Sequence, residues 1–217
     1  MIEWRKVIIL AKSYKKKNRC LAGIFYDNGD WVRPISSSLS TAMDPKLVDS
    51  LTLLDIVEIP LAKKEDPPSR YQKENWIIGN GTWKIVGKYD REDLLLLYKK
   101  VYQKKGELIL HSNKKYVDPV YLENVHNSNW KSLELYRSNT RFYKDYDSGE
   151  RYSLRATFKD PKGNYLDLSV TDVDFLKRMS KATELNCDCL LTISLTRPWS
   201  DNNLKRCYKL VAGVIEL

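Results

Sequence analysis

The chain has 217 residues, 42% hydrophobic and 11% aromatic, enough for one large or two small cores and too apolar for a disordered protein. No apolar run nears the roughly 20 residues of a bilayer span, and Glu3, Arg5 and Lys6 stand where a signal peptide would be apolar. The formal charge of +9 favours a polyanionic partner, since cations that neutralise phosphates release counterions, although a basic loop also serves solubility alone.

The charge is uneven: Lys12, Lys15, Lys16, Lys17 and Arg19 meet no acid before Asp27. Four cysteines, two of them at Cys187 and Cys189, do not form the framework of a secreted disulfide scaffold. Free thiols, a cytoplasmic location and no membrane partner are the expectation.

Val7-Ile8-Ile9-Leu10-Ala11 is a short apolar run that fits a buried strand. Residues 19–34 follow as a β-hairpin around Asn28-Gly29. A two-residue turn sets Tyr26 opposite Trp31 and Phe25 opposite Val32, which sends Phe25, Val32 and Leu21 to the core and Tyr26, Trp31 and Arg33 to the other face, whereas a three-residue loop would break this pairing by one place. Asp44-Pro45 starts a short helix, with Asp as cap and Pro where no N–H is needed. Residues 51–59 read as a strand ending at Pro60, and residues 76–78 and 83–86 as a further strand pair. Residues 90–104 are the best helix, capped by Asp90 and apolar at Leu94, Leu97, Tyr98 and Val101, suited to packing between two halves.

Past a weak region containing a strand at residues 108–110, the second half opens with a strand at residues 133–137. Residues 152–159 and 165–170 both alternate with strand period. Their apolar sets share a face only if Phe158 opposes Leu166, leaving a Pro161-Lys162-Gly163 loop with the glycine left-handed. A short helix begins at Thr171-Asp172-Val173-Asp174, and residues 190–195 and 207–215 are the last strands.

Strand, hairpin, helix and two strands is the order of an OB-fold, a five-stranded Greek-key barrel. Both halves show it. The expected fold is therefore all-β with a few helices, two packed OB-like barrels: residues 1–105, including the connecting helix, and residues 106–217. The stretches Val7-Ile8-Ile9-Leu10-Ala11, Arg19-Cys20-Leu21-Ala22-Gly23, Trp31-Val32-Arg33-Pro34, Asp167-Leu168-Ser169-Val170-Thr171-Asp172 and Cys207-Tyr208-Lys209-Leu210-Val211-Ala212-Gly213 together resemble the dual OB-containing domain family of prokaryotes. That resemblance implies two OB-folds and a nucleic-acid role, often in bacterial conflict or antiviral defence settings.

Tyr26, Trp31 and Arg33 on one strand face, beside a basic loop from Lys12 to Arg19, suit a nucleic-acid platform, because rings and guanidinium planes stack on bases. The alternative is that Trp31 and Tyr26 pack against the other half. Arg33-Pro34 and Arg197-Pro198 read either as equivalent anion contacts, one per barrel, or as strand ends with internal ion pairs. Arg155, Lys159 and Tyr165 form a second outward cluster. Cys187-x-Cys189 lacks zinc-knuckle spacing, with His111 and His126 distant, and no phosphate-binding loop, nucleophile elbow or metalloprotease motif occurs.

The expectation is a non-catalytic protein without cofactor or metal that binds single-stranded or structured nucleic acid. Its candidate residues are Lys12, Lys15, Lys16, Lys17, Arg19, Tyr26, Trp31, Arg33 and Arg197. The alternatives are an adaptor that docks on an enzyme partner encoded nearby and, further off, a nucleotide-processing enzyme.

Overall fold

The computed structural model describes residues 2–37, 42–64, 71–102, 107–124, 131–149, 151–201 and 204–217. Strands β1 (Glu3–Lys15), β2 (Asn18–Phe25), β3 (Trp31–Ile35), β4 (Asp55–Lys64) and β5 (Asn75–Ile78) pair in the order β1-β2-β3-β5-β4, and β4 returns to β1 to close a barrel. Every pairing is antiparallel except β3 with β5. Helix α1 (Pro45–Val48) lies between β3 and β4 and begins as its sequence demands, with the Asp44 carboxylate accepting from Lys46 N at 2.9 Å. An edge strand, β6 (Lys84–Lys88), continues along β4.

The second barrel repeats this plan. Its strands are β8 (Leu133–Tyr146), β9 (Tyr152–Lys159), β10 (Tyr165–Val170), β11 (Glu184–Leu195) and β13 (Leu204–Glu216). The circuit is β8-β9-β10-β13-β11 and back to β8, with β10 and β13 parallel. Helix α4 (Val173–Arg178) stands between β10 and β11, its Asp172 cap accepting from Asp174 N and Phe175 N, both at 3.0 Å. Two closed five-stranded barrels of OB topology are thus present.

The hairpin of the second half has the expected register, Leu166 opposite Phe158, and Gly163 sits in its loop at φ +85°, where a side chain would be strained. The first hairpin differs. Ile24, not Tyr26, faces Trp31, and Phe25 N bonds Asp30 O, so the turn takes four residues, 26–29. Asn28 causes this: its side chain accepts from Asp30 N at 2.9 Å rather than leaving Asn28-Gly29 as a two-residue turn. A slip of two residues preserves the faces, so Phe25, Val32 and Leu21 still point into the barrel.

Four further expectations change. Strand β4 starts at Asp55 and runs through Pro60, whose carbonyl accepts from Gly79 N. Strands β5 and β6 lie end to end on the same edge of β4 and do not pair with each other. Residues 109–111 form a 3-10 turn instead of a strand, because Leu110 and His111 adopt positive φ and Leu110 N donates to Glu134 at 2.7 Å. The helix capped by Asp90 is α2 (Arg91–Leu97), followed by a π-turn over Tyr98–Tyr102. It buries Leu94, Tyr98 and Tyr102, while the Val101 side chain and residues 103–104 lie outside what is described.

These three side chains belong to a core between the barrels. Ile8, Leu10, Ala22, Ile24 and Trp31 of the first barrel meet Leu133, Leu135, Leu190, Ala212 and Ile215 of the second there. Strand β1 bulges at Leu10, and the released Leu10 carbonyl accepts from Thr192 Oγ1 at 2.7 Å across the seam. Gly213 lies against the same carbonyl, where a Cβ would come within 2.1 Å.

Candidate nucleic-acid interface

An OB-fold binds oligonucleotides over its second and third strands and the loops between strands one and two and between four and five. In the first barrel that surface is the outer side of β2 and β3. It is the side that carries Ala22, Ile24 and Trp31, and the second barrel covers it with strands one, four and five of its own. The docking is therefore front to back. The equivalent surface of the second barrel, the outer side of β9 and β10, faces solvent.

The residues expected from sequence divide accordingly. Lys12 is 1% exposed: its ammonium pairs with Asp174 at 3.0 Å and donates to the carbonyls of Asp49 and Leu51, so it joins the helix regions of both barrels and offers nothing to a phosphate. Arg19 is buried, holds Asp49 in a two-pronged pair at 2.7 and 2.9 Å and lies over Tyr14. Trp31 packs edge-on against Tyr102 in the inter-barrel core, and the Arg33 guanidinium is also buried. For these four the outward reading is corrected by one cause: alternation separates two faces of a strand but does not say what covers the second.

Lys16 and Lys17 remain exposed at the β1–β2 turn, and Tyr26 is exposed at the far end of β2, edge-on to Tyr89. At about 3.3 Å per residue these ends stand roughly 25 Å apart, so no compact platform joins them. Lys15 and Arg197 are half-buried.

The open face of the second barrel presents Tyr165, 71% exposed, with the Lys159 ammonium 5.2 Å from its ring centre. Beside them Arg155 is fixed by Asp167, at 2.7 Å, and by Ser169 Oγ, at 2.6 Å. A groove of about 180 Å³ runs from Arg155 and Ser169 to Lys115, Tyr208 and Lys209. A short strand, β7 (Tyr116–Val117), extends the barrel past β10 by pairing with Cys207 and Tyr208 of β13. The Tyr116 and Tyr208 rings meet at 6.1 Å and carry the surface into a second groove of about 420 Å³, lined by His111, Lys114, Tyr116, Tyr121, Lys205 and Arg206.

Cations flank rings throughout this track, with the Arg206 guanidinium 4.3 Å from the Tyr116 ring centre and Lys114 at 5.6 Å. Tyr121 leans on His111, and its α3 helix (Pro119–Asn124) is capped by Asp118, whose carboxylate accepts from Val120 N at 2.9 Å. Another strand, β12 (Trp199–Asp201), pairs with β13 in the loop between strands four and five and displays Trp199, 64% exposed. Lys114, Lys115, Lys159 and Lys205 make no ion pair among the described residues, so their charge faces solvent. Sequence reading reached Arg155, Lys159 and Tyr165 and missed the rest. The missed signal was the alternation of cation and tyrosine in Lys114-Lys115-Tyr116 and Lys205-Arg206-Cys207-Tyr208.

The cysteines take no part. All four are free thiols, and burial pushes those of Cys189 and Cys207 up to about 12, which keeps them protonated. Among the described residues no group of histidines, cysteines and carboxylates is placed to hold a metal; His126 lies outside them.

Two OB barrels docked front to back, one ligand face covered and the other open and basic, define a tandem OB-fold protein. The dual OB-containing domain family matches residues 5–214, nearly the whole chain, and the protein belongs to that family. No curated protein and no solved structure matches it. Among the described residues no helix is long and apolar enough to cross a membrane.

Proposed function

We propose that the protein is a non-catalytic nucleic-acid-binding protein whose contact surface is the open face of the second barrel and its two adjoining grooves. The observation that carries this reading is the exposed run of solvated lysines beside aromatic rings, from Lys159 and Tyr165 through Lys115 and Tyr208 to Lys205 and Tyr121. A flexible single strand fits such a track, because rings stack on any base while lysines follow the phosphates. On the family resemblance, we further propose a setting in prokaryotic conflict or antiviral defence and a cytoplasmic location.

Fluorescence anisotropy with labelled single-stranded DNA and RNA over a salt series tests the interface. Combined replacement of Lys114, Lys159 and Lys205 by Ala is expected to weaken binding to every sequence and to lower the slope of log K against log salt by about 2, at roughly 0.7 per phosphate contact. Tyr165→Ala should cost about 1–3 kcal/mol of affinity with the slope unchanged. Absence of binding by the wild type at physiological salt, or equal binding by the triple variant, would turn the assignment to a protein-docking adaptor.

A further inference from the structure

Strands β12, β13 and β7 form a small sheet at one end of the second barrel, and its register decides what the outer side carries. Trp199 faces Arg206 across β12 and β13, and Tyr116 faces Tyr208 across β7 and β13. Residues 206 and 208 alternate with the buried Cys207, so all four side chains lie on one side of the sheet. The Arg206 guanidinium lies 4.3 Å from the Tyr116 ring centre, Tyr116 meets Tyr208 edge-on, and the Trp199 indole is 64% exposed.

The groove of about 420 Å³ opens beside this sheet, in the size range of small-ligand sites. Its lining joins Tyr116, Leu204 and Arg206 to His111 and Tyr121, and holding His111 there carries a cost. Leu110 and His111 both take positive φ, +44° and +67°, and two charged side chains of the barrel fasten the turn. Glu134 accepts from Leu110 N at 2.7 Å, and Lys209 donates to the Ser112 carbonyl at 2.5 Å. Backbone strain of this kind persists only where the surroundings impose it, and it gathers at ligand sites. Lys114, Lys205 and Arg206 outnumber the lining carboxylate, Asp118, which bonds the start of α3.

We infer that this end of the molecule reads bases: one unpaired base enters the groove beside Tyr121, and its neighbour in the strand stacks on Trp199. Arg206 both lines the groove and faces Trp199, so the two seats are adjacent. The inference rests on the nucleic-acid reading above and adds a ligand class, two consecutive unpaired bases, together with a residue outside the lysine track, Trp199. Rings and guanidinium planes stack on the faces of unstacked bases, whereas a base inside a duplex has both faces covered. Two bulged bases suffice for this site, while the lysine track needs a longer strand.

Fluorescence anisotropy at physiological salt compares labelled oligothymidine, an abasic chain with the same phosphates, and a duplex with and without a two-base bulge. Wild type is expected to bind oligothymidine at least tenfold more tightly than the abasic chain, and the bulged duplex at least tenfold more tightly than the blunt one. Trp199→Ala and Tyr121→Ala alter exposed side chains and should leave Tm unchanged. Each should lose about tenfold on oligothymidine and on the bulge, and nothing on the abasic chain. The Lys114, Lys159 and Lys205 triple variant should weaken on the abasic chain as well, which separates phosphate contact from stacking. A 2-aminopurine in the bulge should dim on binding wild type, and one that stays bright counts against stacking without recourse to any variant. If both aromatic variants bind every probe as wild type does while the triple variant weakens, the base site is overturned and the lysine interface stands. Equal losses by the aromatic variants on chains with and without bases also overturn it. Absence of wild-type binding to every probe removes the interface and this site together.

Discussion

Lys209 lies on the inward side of β13 between Cys207 and Val211, 2% exposed, with its ammonium donating to the Ser112 carbonyl at 2.5 Å. Burial pushes its pKa down to about 8, and Glu134 and Asp160 recover only part of the loss. Between that value and 10.5, the unfolded chain holds a proton at this site that the folded protein has released. Stability attributable to Lys209 therefore rises with pH across this window, by roughly 3 kcal/mol, and is absent below it. Lys209→Met is expected to unfold at higher denaturant than wild type at pH 7, with the gap closing by pH 10.5. Parallel stability curves for the two proteins across that range would refute the assignment. Lys12 is buried as deeply, but its pair with Asp174 and its two carbonyl partners satisfy all three of its protons.

Among the elements, β1 does the most to hold the barrels together, and its bulge at Leu10 makes that possible. Gly213 exists to let β13 approach the Leu10 carbonyl, so Gly213→Ala should destabilise the protein by about 3 kcal/mol or more, since the neighbouring atoms are backbone and cannot swing aside. Gly163→Ala has open space and only a positive φ to answer for, and should cost about 1 kcal/mol. Chemical denaturation of both variants checks the order, and equal losses would mean that the seam yields. The second-half hairpin was readable because two alternating runs admit one shared face. The first was misread by two residues because Asn28 bonds to Asp30, a choice between turn types that the pair Asn-Gly does not decide alone. Which barrel keeps its strand-two and strand-three face open was not legible in the sequence. Basic and aromatic residues line the open face of the second barrel rather than of the first, since which face docking hides depends on contacts between residues as distant as Trp31 and Leu190.

Among the described residues the molecule has three cores for two barrels, and the third is shared. Polar links cross the same seam: Lys12 to Asp174, Arg33 to Ser132, Thr192 to Leu10 and Tyr14 N to Thr171 O at 2.9 Å. Separating the barrels would expose Trp31, Leu133 and Leu190 together with these groups, so neither half unfolds at a lower cost than both. A single calorimetric transition with equal calorimetric and van't Hoff enthalpies is expected. Two resolved transitions would show that the shared core is weaker than its composition implies.

Front-to-back contact has no natural end. A two-fold pairing uses up both partners' surfaces, whereas this one leaves the second barrel displaying the very side that the first has buried, ready in principle to receive the back of another copy and start a fibre. What differs is the lettering of that side: Ala22, Ile24 and Trp31 on the covered barrel, against Arg155, Lys159, Asp167 and Tyr165 on the open one. The charges on the open side thus also act as a stop signal. They make the open side a poor seat for the back of another copy, and a surface that solvent must wet to prevent growth is the same one proposed above to take a strand of nucleic acid.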